Sequence, residues 1–140
     1  MRFMMIVKGN ADTEAGVMPS EELVAAMTAY NEEMVRAGVM LDGAGLKPTS
    51  KGARVKYSGG RKVLVEGPFA ESKEIFAGYW IIQVKSREEA IEWALRAPAP
   101  HGEGQPGEIE IRPFYEMEDF APSEAVERAF ELEKKLPGKK

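Results

Sequence analysis

Asp42 and His101 are the side chains of this 140-residue sequence best suited to moving a proton. His101 is the chain's single imidazole and the side chain expected to titrate near neutral pH. It stands just before the glycine-rich stretch Gly102 to Gly107, with Glu103 two residues on, where it could serve as acid, base or metal ligand. Asp42 interrupts the otherwise apolar stretch Val39 to Leu46, just before Gly43 and Gly45. If it faces a cavity, loss of water raises its pKa and suits it to proton transfer; if it faces solvent it has no special role. As a pair they would act as acid and base on one small ligand, with the loop closing His101 over it and excluding water.

A second constellation lies in Val65 to Ile75, where a strand end, a Gly67-Pro68 turn and a charge cluster follow one another directly. Glu66, Glu71, Lys73 and Glu74 are close enough to form a salt-bridge network or a polar pocket rim. The turn would fix their directions, and Phe69 is expected to anchor the loop in the core. Pro68 and Phe69 therefore join the four charged residues as ligand-binding candidates, together with Tyr79 and Phe76 as aromatic lining. Arg112 and Arg54, each on an expected strand, could grip an anion through bidentate guanidinium contacts, or could simply pair with nearby carboxylates.

Other chemistries are excluded or disfavoured. Cysteine is absent, which removes disulfides, thiolate nucleophiles and thiolate metal sites. One histidine is a poor basis for a zinc site, so no metal is expected. The run Gly102-Glu103-Gly104-Gln105-Pro106-Gly107 spells the dinucleotide fingerprint, but it follows a helix and opens a strand, the reverse of what a pyrophosphate needs. No other cofactor motif occurs. A net charge of -4 argues against a nucleic-acid surface, and Lys134, Lys135, Lys139 and Lys140 read as a solvated tail. No apolar run approaches the length of a membrane span, so a cytoplasmic protein is expected.

The elements that must position these residues follow from local pattern. Phe3 to Val7 is an apolar run suited to a central strand. A polar loop should follow, and then Ser20 caps a helix in which Leu23, Met27, Tyr30 and Met34 share one face and Gly38 ends the last turn. Residues 39–46 form a second strand, with the glycines marking a bulge or close approach. Arg54 to Tyr57 and Lys62 to Val65 make a hairpin through Gly59-Gly60. Gly78 to Lys85 is an interior strand, and Ser86 with Glu89 forms a capping box before a second helix that Pro98 stops. Glu108 to Phe114 is a half-exposed last strand, and a third helix starts at Ser123. This order gives an α+β fold, a ferredoxin-like sandwich with an inserted hairpin and an added C-terminal helix, divided as residues 1–120 and 121–140. With both main helices on one sheet face, the apolar opposite face calls for a partner, and a homodimer is the expected solution.

The segment from Glu66 to Glu74 resembles the Asp-Gly-Pro-Phe-Ala-Glu-Thr-Lys-Glu signature of the DGPF subgroup of YCII-related proteins, with Glu66 for Asp and Ser72 for Thr. The resemblance runs from Gly38 to Phe120. It implies the dimeric α/β-barrel type of sandwich and a homodimer, and kinship with muconolactone isomerase-like and small monooxygenase-like enzymes. Relatives in the subgroup are often encoded beside extracytoplasmic-function sigma factors. Two functions stay open at this level: a small-molecule pocket, with acid-base catalysis by Asp42 and His101, or a non-catalytic binding or regulatory module tied to sigma-factor signalling. The sequence does not decide whether the protein is an enzyme.

Overall fold

A computed structural model of the protein describes residues 1–70 and 74–137. Six strands and four helices succeed one another as β1 (Arg2–Lys8), α1 (Ala11–Glu14), α2 (Glu21–Arg36), β2 (Met40–Gly45), β3 (Ala53–Ser58), β4 (Arg61–Glu66), β5 (Phe76–Gln83), α3 (Arg87–Arg96), β6 (Ile109–Pro113) and α4 (Glu124–Glu133). The main sheet is antiparallel in the order β2-β5-β1-β6, the ferredoxin-like arrangement, and β3 and β4 form a separate two-stranded sheet.

The hydrophobic pattern explains the layers. Phe3, Met5, Trp80, Ile82 and Val84 project from β1, β5 and the residue beyond β5 to one side, where they meet Tyr30 and Met34 of α2 and Ala90 and Trp93 of α3. Both helices thus cover the same face. The Tyr30 ring stands edge-on to Trp80 at 5.5 Å and to Trp93 at 6.2 Å, and its hydroxyl donates to the Trp93 carbonyl at 2.6 Å. The Trp80 indole N–H is satisfied by Asn31 at 2.8 Å.

Helix ends form as their residues dictate. The Ser20, Ser86 and Ser123 hydroxyls accept from the backbone N–H three residues on. Gly38 takes φ 73° after α2, and Gly59 and Gly60 take φ 56° and 78° in the hairpin turn. At α3 the expected reciprocal cap is shifted, since the Glu89 carboxylate takes the Lys85 N–H rather than that of Ser86. The expected polar loop after β1 instead contains α1, because Asn10 and Thr13 cap each other: the Asn10 side chain accepts from Thr13 N and the Thr13 hydroxyl accepts from Asn10 N. In β2 the register shifts between Met40 and Asp42, a bulge at the start of the strand and not at Gly43 and Gly45 near its end, where one was expected.

The outer face of the sheet is less apolar than expected. Met4, Ile6, Tyr79 and Ile81 lie there by alternation, but Ile6 is already buried within one chain, and the rows beside it hold ions. Lys8 pairs with Glu110 at 2.9 Å, Arg112 with Glu110 at 3.7 Å, and Arg2 with Glu116 at 3.0 Å and Glu133 at 3.1 Å. The Arg2 contacts tie α4 to the first residue of β1.

Burial raises the Tyr30 phenol to about 12, because its anion would lose water among Trp80 and Trp93. A raised folded pKa gives stability that is complete below the unfolded value of 10.0 and is lost as pH climbs toward about 12. Tyr30→Phe should therefore cost about 1 kcal/mol at neutral pH through the lost hydrogen bond, and flatten the fall in stability above the unfolded phenol pKa. Urea melts at neutral and alkaline pH check both effects.

Candidate functional site

The signature loop is held by Thr49, a residue 20 positions away from Phe69 and 35 from Glu14. Thr49 opens a short 3₁₀ turn over Thr49–Lys51. Its backbone N–H donates to Glu14 Oε1 at 3.0 Å, and its hydroxyl donates to Glu14 Oε2. The same hydroxyl oxygen accepts from the Phe69 N–H at 3.0 Å. One side chain thereby fastens α1 and the Gly-Pro-Phe turn to the 3₁₀ turn, using the hydroxyl as donor and acceptor at once. The bonds to the carboxylate are charge-assisted and correspondingly strong.

Gly67 completes the clasp. Its N–H donates to the Gly52 carbonyl at 3.0 Å, and a Cβ at this position would overlap the Thr49 carbonyl oxygen. Only glycine fits where two backbones approach so closely. The Gly67-Pro68 peptide bond is cis.

Beside this clasp lies a cleft of about 500 Å³. Pro68, Phe69, Ala70 and Ile75 supply apolar lining, and Gly9, Asn10, Ala11 and Glu14 complete it, with both Glu14 carboxylate oxygens taken by Thr49. Ile75 is fixed at its floor by its carbonyl, which accepts from Gly9 N at 2.8 Å. Phe69 is not the core anchor expected. It is half-buried, lies outside the core cluster, and carries the Arg54 guanidinium over its ring at 3.9 Å. The ring packs on the hairpin and the cleft because the clasp holds the loop against α1 rather than against the helices of the core.

The other predicted residues fall elsewhere. Asp42 is exposed on edge strand β2; its carboxylate accepts from Gly43 N at 2.8 Å and from the Tyr79 hydroxyl at 3.2 Å. His101 Nε2 meets the Lys8 carbonyl at 2.9 Å, so this nitrogen carries the proton and donates. Asp42 is in register with Ile81 and Ile81 with Met4, whereas Lys8 lies four residues further along β1. With about 3.3 Å per residue and 4.8 Å per strand, the two sites are roughly 16 Å apart. The structure does not bring Asp42 and His101 together within one chain. Arg112 is exposed on edge strand β6 beside Glu110, at 3.7 Å, whereas Arg54 belongs to the separate β3–β4 sheet. Glu66 ends β4 opposite Ala53; Glu74 is exposed; Phe76 lies under the Lys8 ammonium at 4.9 Å. Glu71 and Lys73 lie outside the described residues. Among the described residues no group of three histidines or acids could hold a metal, and no helix is long and apolar enough to cross a membrane.

The family model of the YCII-related domain matches residues 1–118, from β1 through the clasp to the end of the last sheet strand. The chain belongs to the YCII-related family. An uncharacterized protein of Rhizobium meliloti (strain 1021) is 31% identical over 93 residues, which is 66% of this chain and 73% of that protein. The YCII-related match includes β1, α1 and Thr49 as well as the signature turn, so every part of the clasp lies inside the family domain. Glu14 and Thr49 escaped the sequence reading. Neither carries a local signal, because their partners are brought to them by the fold; only the Asn10-Thr13 cap could have announced α1.

Two measurements check this geometry. Gly67→Ala should destabilise the protein by at least about 1 to 3 kcal/mol, the range for overpacking, while Phe69→Ala should cost about 1 to 2 kcal/mol, less than the roughly 3 to 5 kcal/mol of a core phenylalanine. Chemical denaturation reads both. The Asp42 carboxylate raises the Tyr79 phenol above its ordinary value through its charge and their hydrogen bond, so Asp42→Asn should lower the pH at which Tyr79 ionises, seen in the tyrosinate absorbance of a Tyr79-resolved titration.

Proposed function

We propose that this YCII-related protein is a small-molecule-binding module whose ligand occupies the cleft between α1 and the signature loop. The observation that carries this reading is the clasp itself. Thr49, Glu14 and Gly67 fix a loop that lies outside the core cluster, and beside it is a concave site with apolar walls and Glu14 as the acidic residue of its lining. A ligand that is part apolar, and neutral or cationic where it meets Glu14, fits this lining. Among the described residues of the lining no base offsets the charge of Glu14.

The reading keeps the pocket and sets aside paired catalysis. Asp42 and His101 are each engaged by their own neighbour, Tyr79 and the Lys8 carbonyl, at separate places on the sheet. The glutamate, Gly-Pro-Phe-Ala and lysine positions of the loop support placing the chain in the DGPF subgroup, whose signature would then mark the cleft wall.

A thermal-shift screen of polar and cationic metabolites tests the proposal. A ligand at about 100 times its Kd stabilises the native state by about 2.7 kcal/mol, a clear rise in Tm. The rise should persist in Asp42→Asn and His101→Asn and vanish in Ala70→Trp, which fills the cleft without touching the clasp. Stabilisation that survives Ala70→Trp, or that disappears with Asp42→Asn, contradicts the assignment.

A further inference from the structure

Between α2 and the main sheet lies a pocket of about 250 Å³, and none of the residues lining it lines the cleft beside the clasp. It exists because side chains are missing where three strands run side by side. Trp80 and Ile82 of β5 fill the space under the helices, but Gly78, two residues before Trp80 on the same face, has nothing to add. Gly78 is in register with Gly45 of β2, so both strands leave the same spot bare, and Val7 of β1, the other partner of Gly78, closes one side. Above this floor stand Met27 and Asn31, four residues apart on one face of α2. Neither backbone nor packing requires glycine at residue 45: its φ is not positive, and an added Cβ would come no nearer than 3.9 Å to an atom beyond its chain neighbours, the Ala77 carbonyl oxygen. The space at Gly45 is one that a larger side chain could occupy.

The lining of this pocket carries no charge among the described residues, and it carries one uncommitted donor. Asn31 Oδ1 accepts from the Trp80 indole N–H at 2.8 Å. An indole nitrogen only donates, so this contact fixes which end of the Asn31 amide faces Trp80 and leaves the amino end over. Among the described residues that amino group donates to nothing. The other side chains of the lining with a polar hydrogen, Trp80 and Tyr79, give theirs to Asn31 and to Asp42.

We propose that this pocket is a second small-molecule site, which takes a compact, uncharged carbonyl compound. The ligand's carbonyl oxygen accepts from the Asn31 amino group, and its apolar part lies on the Gly45 and Gly78 floor between Val7, Met27 and Trp80. A charged ligand would lose its water here and find no counter-charge. The volume of about 250 Å³ is below the roughly 300 Å³ at which ordinary ligand pockets begin, so the molecule that fits is small. This site goes beyond the ligand cleft, is independent of it, and uses neither Asp42 nor His101.

Titration of the nitrogen-15-labelled full-length protein with cyclohexanone and with acetophenone, followed by NMR, tests the site. Methylenecyclohexane and α-methylstyrene are the controls, since each keeps the shape of its ketone and replaces the carbonyl oxygen by a methylene group. At least one ketone should shift the Asn31 side-chain amide and the Trp80 indole N–H saturably, and should bind about fivefold more tightly than its control, the effect of one net hydrogen bond. Asn31→Asp keeps the acceptor for Trp80 and removes the donor, so the preference for the ketone should disappear. Gly45→Ile should fill the floor and abolish binding of ketone and control alike. The proposal is overturned if neither ketone shifts these two signals saturably, if ketone and control bind equally to the wild type, or if the preference survives Asn31→Asp. Shifts centred on the Phe69 and Ile75 amides also overturn it, because they would place the ketone in the clasp cleft and leave the reading of that cleft intact.

Discussion

A single hydroxyl determines how the ends of this domain come together. The Thr49 hydroxyl donates a hydrogen bond to Glu14 and accepts one from the Phe69 amide, and so joins three segments that share no sheet. Without that pair of hydrogen bonds, α1 is one helical turn on the surface, too short to persist by itself. The Gly-Pro-Phe turn would be a loop with a half-buried ring. The hairpin, whose base is pinned by the Gly67 to Gly52 bond, would lose its direction. The cleft is a consequence of this junction.

The core is built by a different physics and is largely indifferent to this junction. Tyr30, Trp80 and Trp93 interlock between sheet and helices, and Phe3, Met5, Met34 and Ile82 are fully buried around them. Packing at this density tolerates little change in volume. The division suits the proposed binding role: the sandwich supplies a frame, while the candidate site is assembled at the end of β1 from segments joined largely by polar bonds.

The frame was legible in the sequence because its signals are local. Ser20, Ser86 and Ser123 announced helix starts, Gly59-Gly60 announced the hairpin, and the alternation of Trp80 and Ile82 with Tyr79 and Ile81 placed an interior strand. The site was legible only in outline. The Gly67-Pro68-Phe69 segment pointed to the region of the proposed cleft, whose geometry rests on Glu14 and Thr49 through a contact across 35 residues. Asp42 drew attention because a charge stood within an apolar stretch. The structure shows why this was possible without desolvation: β2 is an edge strand, bulged between Met40 and Asp42, and the carboxylate points to solvent beside Tyr79. Phe69 was expected in the core on type alone, yet a loop clasped to α1 faces the hairpin, where a guanidinium covers the ring instead.

The most direct test of the clasp is the hydrogen-exchange rate of the Phe69 amide in the wild type, Thr49→Ser and Thr49→Val. A hydroxyl at residue 49 is the sole difference that matters if this account is right, since serine keeps the acceptor and valine keeps the shape. Phe69 N–H should be protected in the wild type and in Thr49→Ser, and should exchange freely in Thr49→Val while the amides of β1 and β5 remain protected. Unchanged protection of Phe69 in Thr49→Val would show that the loop is held by something else and would contradict the account.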